Sequence, residues 1–155
     1  MKGFQACSLQ LEACSLKKHN QKIQNTLNNE YASLSSAAYI LEERKLRENL
    51  ELIQRVQTEA GVSIILALKG FAMWSVFPMV KRYLSGATAS SLNEARLIFE
   101  EMGCRAHTYA VAYMPDEFEE IMGYSSHITF NSIAQFHRYA SAVQQYPEKI
   151  SPGIR

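Results

Sequence analysis

Cysteine is scarce in this chain. Three residues in 155, Cys7, Cys14 and Cys104, are odd in number and too sparse for a disulfide scaffold. That usage fits a reducing compartment, and the cytoplasm is the expected location. No apolar run approaches the roughly 20 residues that span a bilayer, so no membrane role is expected. The amino terminus offers one lysine and a weak apolar stretch broken by Gln5, Gln10 and Glu12, a poor secretory signal. Without arginine it is a poor transit peptide too. Charge of one sign is also lacking. The net charge is +1, and basic residues are scattered or interleaved with acids, as in "EERKLRENLE". That run reads as a solvated helix face, and no nucleic-acid partner is expected. The histidines His19, His107, His127 and His137 show no H-x-x-x-H or Cys/His spacing, so no metal site is expected. No "GGG"-like stretch exists. What remains is a composition of 47% hydrophobic and 20% charged residues, that of a globular domain with a real core.

Residues 1–35 read as an amino-terminal extension. "ACSL" occurs twice, seven residues apart, and Leu9, Leu16 and Ile23 continue the spacing, which allows one helical face. "KKHNQKIQNTLNNE" is polar and linker-like. From residue 36, strand and helix patterns alternate. "AAYILE" (37–42) predicts a short strand. "EERKLRENLELIQRVQTEAG" predicts an amphipathic helix, with Leu46, Leu50, Ile53 and Val56 on one face and Gly61 as its stop. Glu43 to Arg47 and Glu51 to Arg55 are candidate i,i+4 ion pairs. "VSIILALK" reads as a strand. The helix expected over 72–84 holds Pro78, which should kink or break it. Further strands are "GATAS", "RAHTYAVAY", "HITFNS" and "KISPGIR". The helices between them are "LNEARLIFEEMG", capped by Ser91 and closed by Gly103, then "PDEFEEIMG", then one over 132–144.

Such alternation predicts an α/β fold with a parallel sheet and outer helices. Units of this spacing suit a βα barrel or a doubly wound sheet. If a barrel, the first four to five βα units of a (β/α)8 TIM-type barrel are present, a partial barrel with an open edge.

The most apolar stretch, Ile64–Leu68, runs straight into Lys69. A lysine at the carboxyl end of a barrel strand points toward the active-site rim. Partial desolvation there lowers the amine's pKa and makes it a nucleophile for an aldehyde. Spacing alone favours the other reading, a lysine that simply marks a strand end. Phe71, Trp74 and Phe77, at three-residue spacing, read as core packing of the following helix.

The stretches "LALKGFAMWSVFPMV", "GATASSLNEARL" and "HITFNSIAQFHRY", in this order, resemble the carboxynorspermidine/carboxyspermidine decarboxylase family. Its members are pyridoxal-phosphate enzymes of the alanine-racemase and ornithine-decarboxylase fold type. The resemblance starts near Ala38 and covers about three quarters of the chain. It implies that Lys69 is the lysine that carries pyridoxal 5'-phosphate as a Schiff base. By the same resemblance Thr88 stands near the cofactor ring, where many decarboxylases of the fold type have aspartate. Glu94 matches a carboxylate that organises the site; by itself it reads as first-turn helix stabilisation. Arg155 aligns with an inner-face arginine near the cofactor. The family's cofactor-stacking histidine and active-site cysteine belong to later segments, so the four histidines and Cys104 read as structural or solvated.

The resemblance thus implies decarboxylation of carboxynorspermidine or carboxyspermidine, in norspermidine or spermidine biosynthesis. The partners it implies are a polyamine amino-acid substrate and, as in the family, a second copy in a homodimer. The acids of "PDEFEE" could pair with ammonium groups, but they read first as a solvated helix face. With no glycine-rich phosphate loop and the pattern ending inside a strand, the expectation is a truncated decarboxylase inactive alone. The alternative is a noncatalytic, split-chain fragment that completes its barrel with a partner chain.

Overall fold

The computed structural model describes residues 38–155, together with Ala32 and Ser36. Two units are distinguished, Met1–Leu41 and Glu42–Arg155. The helical face expected at Leu9, Leu16 and Ile23, with Cys7, Cys14 and His19, lies outside the described residues. In the first unit the described residues 38–41 form no regular element, and neither does Glu42. The strand expected over 37–42 is therefore not found there. Tyr39 is 99% exposed, and a strand without a ladder partner leaves its backbone groups unpaired. Glu42 instead opens the first helix, its carbonyl accepting the Leu46 N–H at 3.0 Å.

In the second unit, α1 (Glu43–Ala60) ends at Gly61, which takes the left-handed conformation (φ 65°) that a Cβ disfavours. Its inward face runs Leu46, Leu50, Ile53 and Gln57, while Val56 is exposed. Gln57 replaces the expected Val56 because its amide does what a methyl cannot. Nε2 donates to Tyr83 O at 2.9 Å, and Oε1 accepts from Ile64 N at 2.6 Å, tying the lead-in of the next strand to a later loop. The expected pairs Glu43–Arg47 and Glu51–Arg55 are not formed. Arg44 pairs with Glu48 at 2.5 Å and Lys45 with Glu42 at 2.6 Å, all at the surface.

Five parallel strands follow: β1 (Leu66–Ala67), β2 (Ala87–Ala89), β3 (Ala106–Tyr109), β4 (Ser125–Phe130) and β5 (Ser151–Ile154). Their order in the sheet is their order in the chain. A doubly wound sheet would reverse direction at a switch point; sequential order is that of a TIM-type barrel, here partial. Between β1 and β2, Pro78 breaks the expected helix as anticipated. A 3-10 turn (Trp74–Val76) gives way to a one-turn helix, α2 (Phe77–Val80). Phe77 is fully buried, but Trp74 is 58% exposed, against the core role expected of it.

Helix α3 (Leu92–Leu97) widens into a π-type turn (Ile98–Met102) and stops at Gly103 (φ 62°). Helices α4 (Phe118–Tyr124) and α5 (Ile133–Gln145) complete the outer layer. Both α3 and α5 start with the same reciprocal cap. Ser91 Oγ accepts the Glu94 N–H at 3.2 Å, and Ser132 Oγ accepts the Gln135 N–H at 3.1 Å. The Glu94 and Gln135 side chains reach back to Ser90 N at 2.6 Å and Asn131 N at 2.7 Å.

Strand side chains alternate. Ala87, Ala89, Ala106, Thr108, Ile128 and Phe130 face the helices and are buried. Thr88, His107, Tyr109, His127 and Thr129 lie on the opposite, inner face. One buried core cluster lies between β3, β4, α4 and α5, where Phe118, Phe130 and Tyr139 meet Tyr113. The Tyr113 hydroxyl donates to Thr129 O at 2.8 Å and accepts the Ala110 N–H at 3.3 Å, while Tyr139 Oη donates to Tyr113 O at 2.9 Å. Burial pushes the Tyr113 hydroxyl up to about 12. Tyr113→Phe strands the Ala110 N–H and a strand-end carbonyl in the interior. It is expected to destabilise the chain by about 1–3 kcal/mol, read as a lowered urea midpoint at unchanged slope.

Candidate active site

The site is built at the carboxyl ends of the strands. β1 is held to β2 by Leu66 N to Gly86 O at 2.9 Å and Leu68 N to Thr88 O at 3.4 Å, then turns at once. The Ala67 carbonyl accepts both Gly70 N (2.9 Å) and Phe71 N (3.1 Å), closing a tight turn around Leu68–Gly70. Leu68 anchors that turn in the core at 2% exposure, and Lys69 stands out of it, exposed. The partial desolvation expected of Lys69 is absent. The turn carries it past the last paired residue, and five strands do not close around it.

Thr88 lies mid-strand on the inner face, between Ala67 and His107 in register, and is half-buried. Glu94 is the third residue of α3, with Oε2 accepting both Ser90 N (2.6 Å) and Ser90 Oγ (2.8 Å). Its visible work is the cap, fixing the residue at the carboxyl end of β2. Arg155 follows β5, its N–H donating to Phe130 O at 3.0 Å and its guanidinium 5.0 Å from the centre of the Tyr109 ring. Among the described residues no hydrogen bond or ion pair joins any two of Lys69, Thr88, Glu94 and Arg155. Thr88 lies in the sheet, and Lys69, Glu94 and Arg155 follow the carboxyl ends of its strands.

Two features went unread in the sequence. The first is a contact between His107 and His127, whose rings stack 3.8 Å apart. A β-bulge produces it: Ala106 pairs with Ser125, but His107 pairs with His127, leaving Ser126 as the extra residue. Ser126 Oγ bonds back to Arg105 O at 3.3 Å and Ala106 O at 3.2 Å. Partial burial, then the neighbouring His127, holds His107 below its ordinary value. In both the folded and the unfolded chain His107 is neutral above about pH 6.5, so its burial does not weaken the fold there. As pH falls through that value the unfolded chain takes the proton more readily, and stability drops until the lower folded value is passed. The melting temperature is expected to fall between pH 7.5 and pH 5.5, and His107→Gln to flatten that slope. The second feature is the Tyr109 hydroxyl, which donates to Asn131 Oδ1 at 2.8 Å beside Arg155.

Asp116, Glu117, Glu119 and Glu120 are exposed, as expected of a solvated helix face, and Glu120 pairs with Arg96 at 2.6 Å. Cys104 is half-buried, and burial raises its thiol, which fits a structural residue. No group of three or more metal-ligating side chains occurs among the described residues, and no helix there is long and apolar enough to cross a membrane.

The donor types on the rim suit an aldehyde-bearing phosphate: Lys69 has a primary amine, and Arg155 has a guanidinium.

No protein-family model matches the chain. It is 46% identical over 128 residues to the carboxyaminopropylagmatine decarboxylase of Synechocystis sp., covering 83% of this chain and 33% of that protein. It is 46% identical over 125 residues to the carboxynorspermidine/carboxyspermidine decarboxylase of Campylobacter jejuni, covering 81% and 32%. With the enzyme of that name from Herminiimonas arsenicoxydans it shares 37% over 123 residues, covering 78% and 34%. The crystal structure of carboxynorspermidine decarboxylase from Campylobacter jejuni, complexed with norspermidine, superposes with a TM-score of 0.72 at 45% identity. That match covers 77% of this chain and 31% of that one. The chain spans about a third of the length of the curated relatives it matches. Identity of this order on a shared fold agrees with the resemblance carried by the three sequence stretches: over most of its length the chain is similar to about a third of the length of carboxynorspermidine/carboxyspermidine decarboxylases.

Proposed function

We propose that the chain serves pyridoxal-phosphate-dependent decarboxylation of a carboxylated polyamine, with Lys69 as the residue that holds the cofactor. The observation that carries this reading is Lys69 itself, an exposed amine displayed by a tight turn at the carboxyl end of β1, within the stretch that resembles the family. The relatives' names specify carboxynorspermidine, carboxyspermidine and carboxyaminopropylagmatine. The substrate class is therefore an amine-rich chain bearing a carboxylate, with the individual compound left open among the three.

Pyridoxal phosphate, when bound, supplies the electron sink for loss of carbon dioxide from an α-amino acid. The residues of this chain bind and orient. Lys69 would hold the cofactor through its amine at the aldehyde group, with loss of water, and its Nζ would be the group on this chain that carries a proton at the site. Arg155 offers paired N–H donors to an anionic group. Thr88 presents a hydroxyl toward the inner face. Glu94 positions Ser90 and through it the turn after β2. Turnover by these residues alone is not expected, because five strands leave the inner face open to water.

The test is to incubate the chain with pyridoxal phosphate, reduce with borohydride and map the adduct, then assay carbon dioxide release from carboxynorspermidine. Selective labelling of Lys69 without turnover is the expected result. Labelling spread over surface lysines such as Lys45 and Lys149 would remove the basis for the reading, and efficient turnover would overturn the inactivity.

A further inference from the structure

We propose that Tyr109 and Asn131 are positioning residues, a platform that holds the Arg155 guanidinium so that it grips an oxyanion at the carboxyl rim of the inner face. The oxyanion is a phosphate or a carboxylate, and the proposal rests on the cofactor-dependent reading above.

Four elements meet at this point. Gln135, in the first turn of α5, accepts the Asn131 N–H at 2.7 Å and so fixes the residue that ends β4. Asn131 Oδ1 then accepts the Tyr109 hydroxyl at 2.8 Å, which sets the tilt of the phenol ring at the end of β3. Arg155, after β5, is pinned by its backbone to Phe130 O at 3.0 Å, and its Cζ lies 5.0 Å from the Tyr109 ring centre. Each link comes from a different strand or helix, so the ring is held from behind before the arginine meets it.

Among the described residues no carboxylate pairs with the Arg155 guanidinium. An exposed arginine is free to sample solvent unless something selects one orientation. Stacking on an aromatic face does so without using the N–H donors, because the ring takes the flat side of the guanidinium. The edges stay open, and they form the planar fork that matches two oxygens of a phosphate or a carboxylate. On the inner face, at the rim where Lys69 also stands, such a fork suits an anionic group of cofactor or substrate.

The experiment uses the whole 155-residue chain. Trp74, its single tryptophan, reports cofactor uptake by fluorescence. Titrations with pyridoxal phosphate and with pyridoxal give the preference for the phosphate. Titrations of the loaded chain with carboxynorspermidine and with norspermidine give the preference for the carboxylate. Tyr109→Leu is expected to lower one of these preferences about five-fold. Tyr109→Phe, which keeps the ring but loses the bond to Asn131, should lower it about two-fold and serves if the leucine variant fails to fold. In Arg155→Met the same preference should be lost, and adding Tyr109→Leu to it should cause no further loss, the signature of one residue acting through another. Loss of the first preference assigns the anion as phosphate, and loss of the second assigns it as carboxylate. Both preferences unchanged in the Tyr109 variants, or fully additive losses, would overturn the proposal while leaving the functional reading intact. No uptake of either aldehyde by the unaltered chain would overturn both.

Discussion

In the Lys69→Ala variant, borohydride reduction after incubation with pyridoxal phosphate is expected to leave no cofactor on the residue 68–70 turn, a fall from selective labelling to background. The size of the effect follows from the chemistry. A methyl group has no lone pair for an aldehyde, and Lys69→Arg, although cationic, has a guanidinium that stays protonated. Other lysines are placed for other tasks. Lys81 Nζ donates to Gly103 O at 2.9 Å, and Lys45 is bound to Glu42. The fold should not register the change. Lys69 is exposed and makes no side-chain hydrogen bond among the described residues, so its removal should shift stability by less than about 0.5 kcal/mol. A variant that melts early would mean that Lys69 supports the turn, and loss of labelling would then be secondary. Equal labelling of wild type and variant would show that the amine at the end of β1 is not the reactive one.

Phe130→Ala is expected to be the most damaging single substitution in the fold. The side chain is fully buried and sits at the centre of an aromatic group. Its ring centre lies 5.6 Å from Phe136 and 5.8 Å from Tyr113, both edge-on, and 6.4 Å from both Phe118 and Tyr139. Truncation removes the transfer energy of the ring and leaves a cavity that its neighbours must collapse to fill, a loss of about 3–5 kcal/mol. Against a total of about 5–15 kcal/mol for an ordinary domain, that leaves a small margin. Urea denaturation followed by circular dichroism measures it. Val111→Ala, at a position 73% exposed, is the control and should change stability by under about 0.5 kcal/mol. Loss at Phe130 no larger than at Val111 would show that the β3–β4–α4–α5 cluster does not hold the fold together.

The strands were legible where short apolar runs lay between helical patterns, although β1 keeps only Leu66–Ala67 of the run 62–69, β3 stops at Tyr109 and β4 starts two residues early at Ser125. The "AAYILE" stretch has the same local look, yet it pairs with nothing. Pairing is a property of neighbours, and an apolar hexamer contains no information about its neighbours. Pro78 was legible because a missing N–H acts locally, and so were Gly61 and Gly103. Val56 and Gln57 exchanged roles because helical periodicity counts apolar residues. The position that mattered is held by an amide whose two partners lie seven and 26 residues away. In the site, Lys69 was legible as a candidate by position and as a cofactor residue only by family resemblance. Its exposure was not, since a run of aliphatic residues does not show that the chain turns immediately after Leu68. The histidine stack depended on one bulged residue, Ser126, which changes which side chains face each other without leaving a pattern in the sequence. Tyr109 and Asn131 are 22 residues apart and carry no motif.

The sequential order of the five strands has a consequence for how the chain is made. Each strand finds its ladder partner in the unit just completed, so each step closes a loop of roughly 20 residues and meets a similar entropic demand. No strand waits for a distant segment to be synthesised, as it would in a sheet whose middle strand comes last. The arc can therefore lengthen in step with the ribosome, one strand and one covering helix at a time. The turn that carries Lys69 follows β1 directly, so it belongs to the first of these steps.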